Sequence, residues 1–396
     1  MSKTLRELAL VEYGASPKEI RVQDATGINI FGTGGFVGYS RIPLFEEPLI
    51  VVARKGTLDK PVFSEKPCWV IDTAFAVIPK KNVDAKWLYY QLLNYDLKKL
   101  NEATGVPSIN RDFLYRVEFN KQALPTQRKI ARILSTADAV IEKTRAAIAK
   151  YKAIKQGMLH DLFTRGIVTK TGKLRPKYQD APHLYKQSKL GWIPKEWEVV
   201  RLGDVGEFKN GVNKDKNSFG FGTLFVNIID AYDEILDCSK LGRVNINENE
   251  KREYELLNGD IIFVRSSVKP EGVGYNTLFI NHGEQVVFCG FMIRYRLNNK
   301  NEFKPEFFNS YFRYDGFRKS LIASSTVSAN TNINQVALRK LLAIKPRGNE
   351  QFEILNRLKT IDNKIQTEQA YLHKLQQIKA GLMADLLSGK KEVVIE

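Results

Sequence analysis

The 396-residue chain is poor in the residue types that build metal centres and disulfide frameworks. It has three cysteines, Cys68, Cys238 and Cys289, far apart and in no CxxC-like spacing. That speaks against both a disulfide scaffold and a cysteine zinc site. The four histidines, His160, His183, His282 and His373, form no HxxxH pair and read as surface or capping residues. No apolar run approaches the ~18 residues that span a bilayer. The opening MSKTLRELALVEYG has neither an apolar signal core nor a cleavage site, so a cytoplasmic protein is expected. Nucleotide-binding and catalytic signatures are missing too. There is no GxxxxGK[ST], no Pro-Asp…Glu-x-Lys pattern beside a strand, and no Pro-Pro pair for the Asn/Asp-Pro-Pro-aromatic motif of an amino-methyltransferase. FGTGGFVG (residues 31–38) comes nearest to a cofactor loop. Its position 37 is Val where GxGxxG needs Gly, and it runs into a turn and a strand rather than a helix. Its glycines suit a tight turn or a close backbone approach.

Positive charge, in contrast, is abundant. Sixty-one Lys and Arg face 44 Asp and Glu, a formal charge of +17. Such an excess favours a polyanionic partner, because surface Lys and Arg displace counterions from a phosphate backbone.

The second positive feature is an internal repeat. Residues 125–165 align with 349–389 at a constant offset of 224 and without a gap. Gln127/Gln351, Ile130/Ile354, Leu134/Leu358, Asp138/Asp362, Ile141/Ile365, Lys155/Lys379 and Leu162/Leu386 are identical pairs. Both copies carry a 4-3 apolar pattern. One seam includes Ile130, Leu134, Ile141, Ile148, Tyr151 and Leu162; the other includes Ile354, Leu358, Ile365, Leu372, Leu375 and Leu386. Each has a polar residue mid-seam, Thr144 or Glu368, of the kind that fixes register at some cost in stability. Two helices of this length, ~60 Å each, are expected to pair with each other as an intramolecular coiled coil.

The duplication extends into the flanking segments. TGVPSINRDFL (104–114) matches SANTNINQVAL (328–338) at the same offset, and LIVVARKG (49–56) resembles DIIFVRSS (260–267), placing Arg54 over Arg265. Runs such as PLIVVAR, CWVIDTAFAVIP, TLFVNII, DIIFVRS and VVFCGFMIRYRL read as strands, with short helices near residues 86–100 and 305–320. The fold class expected is α+β: two similar mixed α/β globular domains separated by two long helices, related by a pseudo-two-fold repeat. The expected divisions are 1–123, a first globular domain; 124–165, the first spacer helix; 166–197, a Lys/Pro/Gly-rich linker read as irregular; 198–347, a second globular domain; 348–389, the second spacer helix; and 390–396, a tail.

LPTQRKIARILSTADAVIEK, GMLHDLFTRGI and LGWIPKEWEVVRLGDV (190–205) together resemble the specificity (S) subunits of Type I restriction–modification systems. The resemblance covers essentially the whole chain in order. It implies two target-recognition domains, each reading half of a split double-stranded DNA sequence, and antiparallel helices that set the gap. It implies docking of methylation (M) subunits, two in number, and of restriction/translocation (R) subunits through the M–S core. It also implies that this chain performs no chemistry, with S-adenosylmethionine, ATP and Mg²⁺ belonging to the partners. Two departures stand out: Thr126 replaces the usual Glu that Glu350 supplies in the second copy, and no counterpart of GWIPKEWEVV precedes TLREL. The rival readings are a coiled-coil scaffold that binds DNA without reading it and a self-contained DNA methyltransferase, the latter opposed by the missing Pro-Pro motif.

Base readout favours Arg or Lys for guanine, Asn or Gln for adenine, and adaptable Ser or Thr. Loops with that mix give the candidate DNA contacts. In the first domain they are Tyr39, Arg41, Arg54, Lys55, Ser108, Asn110 and Arg111. In the second they are Asn213, Lys214, Lys216, Arg265, Ser266, Lys269, Ser328, Asn330, Asn332 and Asn334.

Overall fold

The computed structural model describes residues 2–281, 283–327 and 330–393. The chain divides into two compact units. One comprises Met1–Ala147 with Glu368–Glu396, and the other Ile148–Thr367. Two 41-residue helices, Leu124–Thr164 and Gly348–Ser388, each contribute one part to either unit.

The first unit is built on a four-stranded antiparallel sheet. Its spatial order is Ala9–Tyr13, Ala74–Pro79, Leu49–Ala53, Val62–Ser64. Leu49–Ala53 is buried along its whole length, as its unbroken apolar run requires of a central strand. A second sheet orders Arg21–Val22, Gly35–Ser40, Ile28–Gly32 and Trp69–Val70, the last pair parallel. Helix Ala85–Asn94 starts on Asp84, whose carboxylate accepts from Trp87 N at 2.9 Å. Its apolar face, with Trp87, Leu88 and Leu92 fully buried, joins one core with Leu5, Leu8, Ile130, Leu134, Met383, Leu386 and Leu387.

The second unit repeats this plan. Its antiparallel sheet runs Gly206–Asn210, Met292–Leu297, Ile261–Val264, Asn276–Leu278. Its second sheet orders Gly242–Val244, Phe219–Val226 and Val286–Phe288, again with a parallel last pair. Helix Pro305–Phe312 is buried against Leu162, Phe163, Ile354 and Leu358. The strand pair Glu198–Arg201/Leu342–Lys345 has its equivalent in Ser2–Thr4/Glu118–Asn120. Residues 2–4, which lead into TLREL, thus brace the first unit by pairing with Glu118–Asn120.

Within each unit the two helix portions run antiparallel. In the first, Gln122 Nε2 donates to Leu386 O at 2.9 Å and Lys379 pairs with Asp138. In the second, Lys155 pairs with Asp362 at 2.6 Å and Arg357 donates to Gly172 O. Burial follows the heptad at Ile130, Leu134, Ile141, Thr144 and Ile148, and at Gln351, Ile354, Leu358, Ile361 and Ile365. Tyr151, Leu372 and Leu375 depart from the expected seam in being only partly buried. Near the sheets the buried face widens to Leu159 and Phe163, and to Met383 and Leu387, because a globular core and not a single helix covers it there.

Two local expectations need correction or completion. Residues 166–197 are not irregular: they form the hairpins Ile167–Val168/Lys173–Leu174 and Tyr185–Ser188/Gly191–Pro194, the second topped by Trp192 stacked on Tyr178 at 4.3 Å. Lys, Pro and Gly content signalled turns, and strands of two and four residues are too short to leave a clear periodic pattern. FGTGGFVG is a β-hairpin turn, Gly35 at φ +118° and Gly38 at φ +145°, with strands on both sides.

Candidate nucleic-acid interface

The expected contact residues gather around one backbone feature that both units share. In the first unit, strand Leu49–Ala53 ends at Arg54, whose carbonyl accepts from Ile109 N at 2.9 Å. Gly56 N donates to Pro107 O at 2.8 Å and Lys55 bridges Ser108. In the second unit, strand Ile261–Val264 ends at Arg265, whose carbonyl accepts from Ile333 N at 2.9 Å. Ser266 then pairs with Asn332, and Ser267 with Thr331. In each unit this pairing brings residues 107–109 or 331–333 onto the end of a buried strand. There the following Asn, Asn110 or Asn334, caps a six-residue helix, Arg111–Arg116 or Gln335–Lys340. Asn110 accepts from Asp112 N and Asn334 from Ala337 N, both at 2.9 Å.

This geometry assembles Arg54, Lys55, Ser108, Asn110 and Arg111 in one group, and Arg265, Ser266, Asn330, Asn332 and Asn334 in the other. Lys269 follows the Ser266–Ser267 strand, its N donating to Ser267 Oγ at 3.3 Å. Asn332 Nδ2 donates to Asn330 O at 3.0 Å. Because Asn110 and Asn334 spend their side-chain oxygens on helix caps, they hold these loops in place. Ser328 lies outside the described residues.

The remaining candidates stand apart. Tyr39 and Arg41 lie towards the open end of the glycine hairpin, where Tyr39 pairs with Asn29. Arg41 Nη2 is engaged by Glu19 O at 3.1 Å. It is the hairpin's tip that nears the Arg54 loop: a Cβ on Gly56 would lie 3.5 Å from Thr33 Oγ1. In the second unit Asn213 packs on Gly290, whose carbonyl faces Arg265 Nη1 at 3.5 Å. Lys214 is committed to Glu250 at 2.6 Å, and Lys216 opens a short 3-10 turn.

One residue of this surface escaped the sequence reading. Tyr13, 48% exposed at the end of strand Ala9–Tyr13, lies under both Arg54 and Arg111. An aromatic at an exposed strand end was the signal available, and strand Tyr residues are too common for it to stand out. Among the described residues no group of three His, Cys, Asp or Glu side chains could hold a metal ion. No helix there is long and apolar enough to cross a membrane.

The second unit also has a buried polar knot at the start of its long helix. Glu350, 3% exposed, accepts from Ile167 N at 2.8 Å, Trp197 Nε1 at 3.0 Å and Arg175 Nη2 at 3.0 Å. The equivalent first-unit position, Thr126, has no such set. There Gln127 performs the shared task, its amide joining Asp84 N and Gln122 O as Gln351 joins Lys304 N and Pro346 O.

Comparison with known proteins agrees with this architecture. The S subunit of a Type I restriction–modification system from M. genitalium superposes with a TM-score of 0.58 at 16% identity, covering 100% of this chain and 96% of that one. The MjaVIII Type I restriction enzyme specificity subunit of Methanocaldococcus jannaschii is 25% identical over 82% of this chain and 75% of its own. The EcoKI specificity subunit of Escherichia coli is 22% identical over 64% of this chain and 54% of its own. With residues 1–150 and 194–379 both matched by the profile of the Type I restriction modification DNA specificity domain, and each carrying the same two-sheet unit, the chain belongs to that family.

Proposed function

We propose that the chain is the non-catalytic specificity subunit of a Type I restriction–modification complex, and that each unit reads one half of a bipartite double-stranded DNA target. The observation that carries this reading is the repeated loop-to-strand closure at Arg54/Ile109 and Arg265/Ile333. It presents cationic and amide side chains at the same place in two units of a chain with formal charge +17. Target-recognition domains would occupy 1–123 and 198–347, joined by spacer helices at 124–165 and 348–389, the 166–197 connector and a 390–396 tail. The helices set the gap between the half-sites and offer their outer faces to two methylation subunits, with restriction/translocation subunits joining through that core. S-adenosylmethionine, ATP and Mg²⁺ then belong to those partners, and the complex works in the cytoplasm.

The test is co-expression with the neighbouring methylation subunit and sequencing of methylated adenines in genomic DNA. Two defined half-sites with a fixed gap are expected. Methylation without a split motif would refute the two-reader scheme.

A further inference from the structure

In the first unit two guanidinium groups converge on one ring. Arg111 Cζ lies 5.0 Å and Arg54 Cζ 5.5 Å from the centroid of Tyr13. Neither guanidinium has a hydrogen-bond or carboxylate partner among the described residues, and Arg111 Nε is buried with no acceptor. Asp112, next in the chain, is already paired with Arg6 at 3.2 Å. Glu12 lines the same cleft but forms no ion pair with either arginine. Two like charges held on one ring, short of acceptors, describe a site whose missing component is an acceptor.

The second unit shows that folding does not require this cluster. Strand Gly206–Asn210 occupies the place of Ala9–Tyr13 in its sheet, and helix Gln335–Lys340 the place of Arg111–Arg116. Asn210 therefore stands where Tyr13 does, each opposite the second residue of the neighbouring strand. Gln335 stands where Arg111 does. With its amide turned so that both atoms find partners, it is satisfied by the strand itself, N donating to Phe208 O at 2.9 Å and O accepting from Asn210 N at 3.1 Å. The same scaffold position is thus closed by an uncharged side chain in one unit. In the other it is left open and doubly cationic.

We propose that Tyr13, Arg54 and Arg111 form an acceptor clamp for DNA in the first half-site. The ring restricts both guanidinium planes through cation–π contact, so less side-chain freedom is lost when their N–H groups engage a ligand. The acceptors are those DNA offers to Arg: the O6/N7 edge of guanine or the oxygens of a phosphate. This assignment rests on the specificity-subunit reading and adds to it a residue trio, a ring that positions it, and an asymmetry between the two units.

The test uses the full chain in complex with its methylation subunits. Arg111→Gln installs the second unit's own solution and should keep the fold, checked by thermal unfolding. If the clamp grips guanine, Arg111→Gln relaxes one base position of one half-site, discrimination there falling on the order of 10- to 100-fold, and leaves the other half unchanged. If it grips a phosphate, the motif stays and binding weakens for every sequence, with the log–log salt slope smaller by ~0.9. Tyr13→Ala should move the same readout in the same direction and Tyr13→Phe should restore it. Unchanged motif, affinity and salt slope in Arg111→Gln would overturn the clamp while leaving the specificity reading intact. A wild-type complex with no split motif would overturn both.

Discussion

Glu350 holds the start of the second long helix through three different donors, two of which would be stranded by its removal. Glu350→Ala leaves the Trp197 N–H and the Ile167 N–H buried without an acceptor and takes from Arg175 its buried carboxylate, leaving it Arg165 O and Glu196, 3.6 Å away. Breaking a buried pair in this way costs ~3–5 kcal/mol, seen as a lower urea midpoint for the second unit. Thr126→Ala at the equivalent first-unit position should stay within ~0.5 kcal/mol. Thiol chemistry gives a second residue-level expectation. Burial pushes the Cys289 thiol up to about 11 and raises Cys68 and Cys238 as well. The thiolate is the nucleophile, so iodoacetamide at pH 8 should leave the native chain unlabelled and modify all three cysteines once it unfolds. Labelling of any cysteine in the folded protein, read by mass spectrometry, would contradict the burial. At this scale the sequence was partly legible. Arg54, Asn110 and Arg111 could be picked out as candidates because base chemistry names residue types, and the fold brings them to one loop cluster. Tyr13 and the capping duty of the asparagines were not, because both depend on which strand end a loop returns to.

The helices were the most legible elements, since forty residues of heptad leave little ambiguity. Their polar pairs could not be read in the same way. Lys155/Lys379 and Asp138/Asp362 are repeat identities, yet each lysine pairs with the aspartate of the other copy. In the second unit Glu234 joins, 2.9 Å from Lys155. Burial is the largest influence and opposes its charge, but the Lys155 ammonium, helped by Arg313 and the Ser310 hydroxyl, outweighs it and holds the Glu234 carboxyl below the usual 4.5. Burial raises the Asp362 carboxyl above 3.8, and the same ammonium only partly offsets it. The folded state therefore binds a proton less readily than the unfolded one at Glu234, and more readily at Asp362. Stability contributed by Glu234 is present above pH 4.5 and is lost as pH falls through its lowered value. Protonation of Asp362 works in the opposite direction. Glu234→Gln should cost ~1–2 kcal/mol at neutral pH and flatten the acid limb of the unfolding curve. Asp362→Asn should change neutral stability by less than ~0.5 kcal/mol and steepen that limb. Equal losses for the two variants would show that the cluster does not divide its charge in this way.

For the molecule as a whole, the expected functional dimension lies in the helices. One heptad added to both should lengthen the spacing between half-site readers by ~10 Å, about three base pairs at ~3.4 Å each. An unchanged gap in the methylated motif would sink the ruler. Exchange of residues 198–345 with those of a relative should alter one half-site only. The repeat, the order of segments and the mixed α/β class could be read from the chain. The parallel pairings Ile28–Gly32/Trp69–Val70 and Phe219–Val226/Val286–Phe288 could not, since their partners are separated by dozens of residues and carry no local signature. The division of the chain between units has a consequence for its biosynthesis. The second unit is one uninterrupted stretch, Ile148–Thr367, whereas the first draws Met383, Leu386 and Leu387 into a core whose strands end by Asn120. A ribosome can thus release a folding-competent second unit while the first, begun earlier, still waits with an apolar face uncovered. Completing it means closing a loop of more than 200 residues, a modest entropic cost but a late event. Nonsense truncation anywhere between residues 368 and 382 should accordingly spare the later-made unit and deliver the earlier-made one to chaperones and proteases.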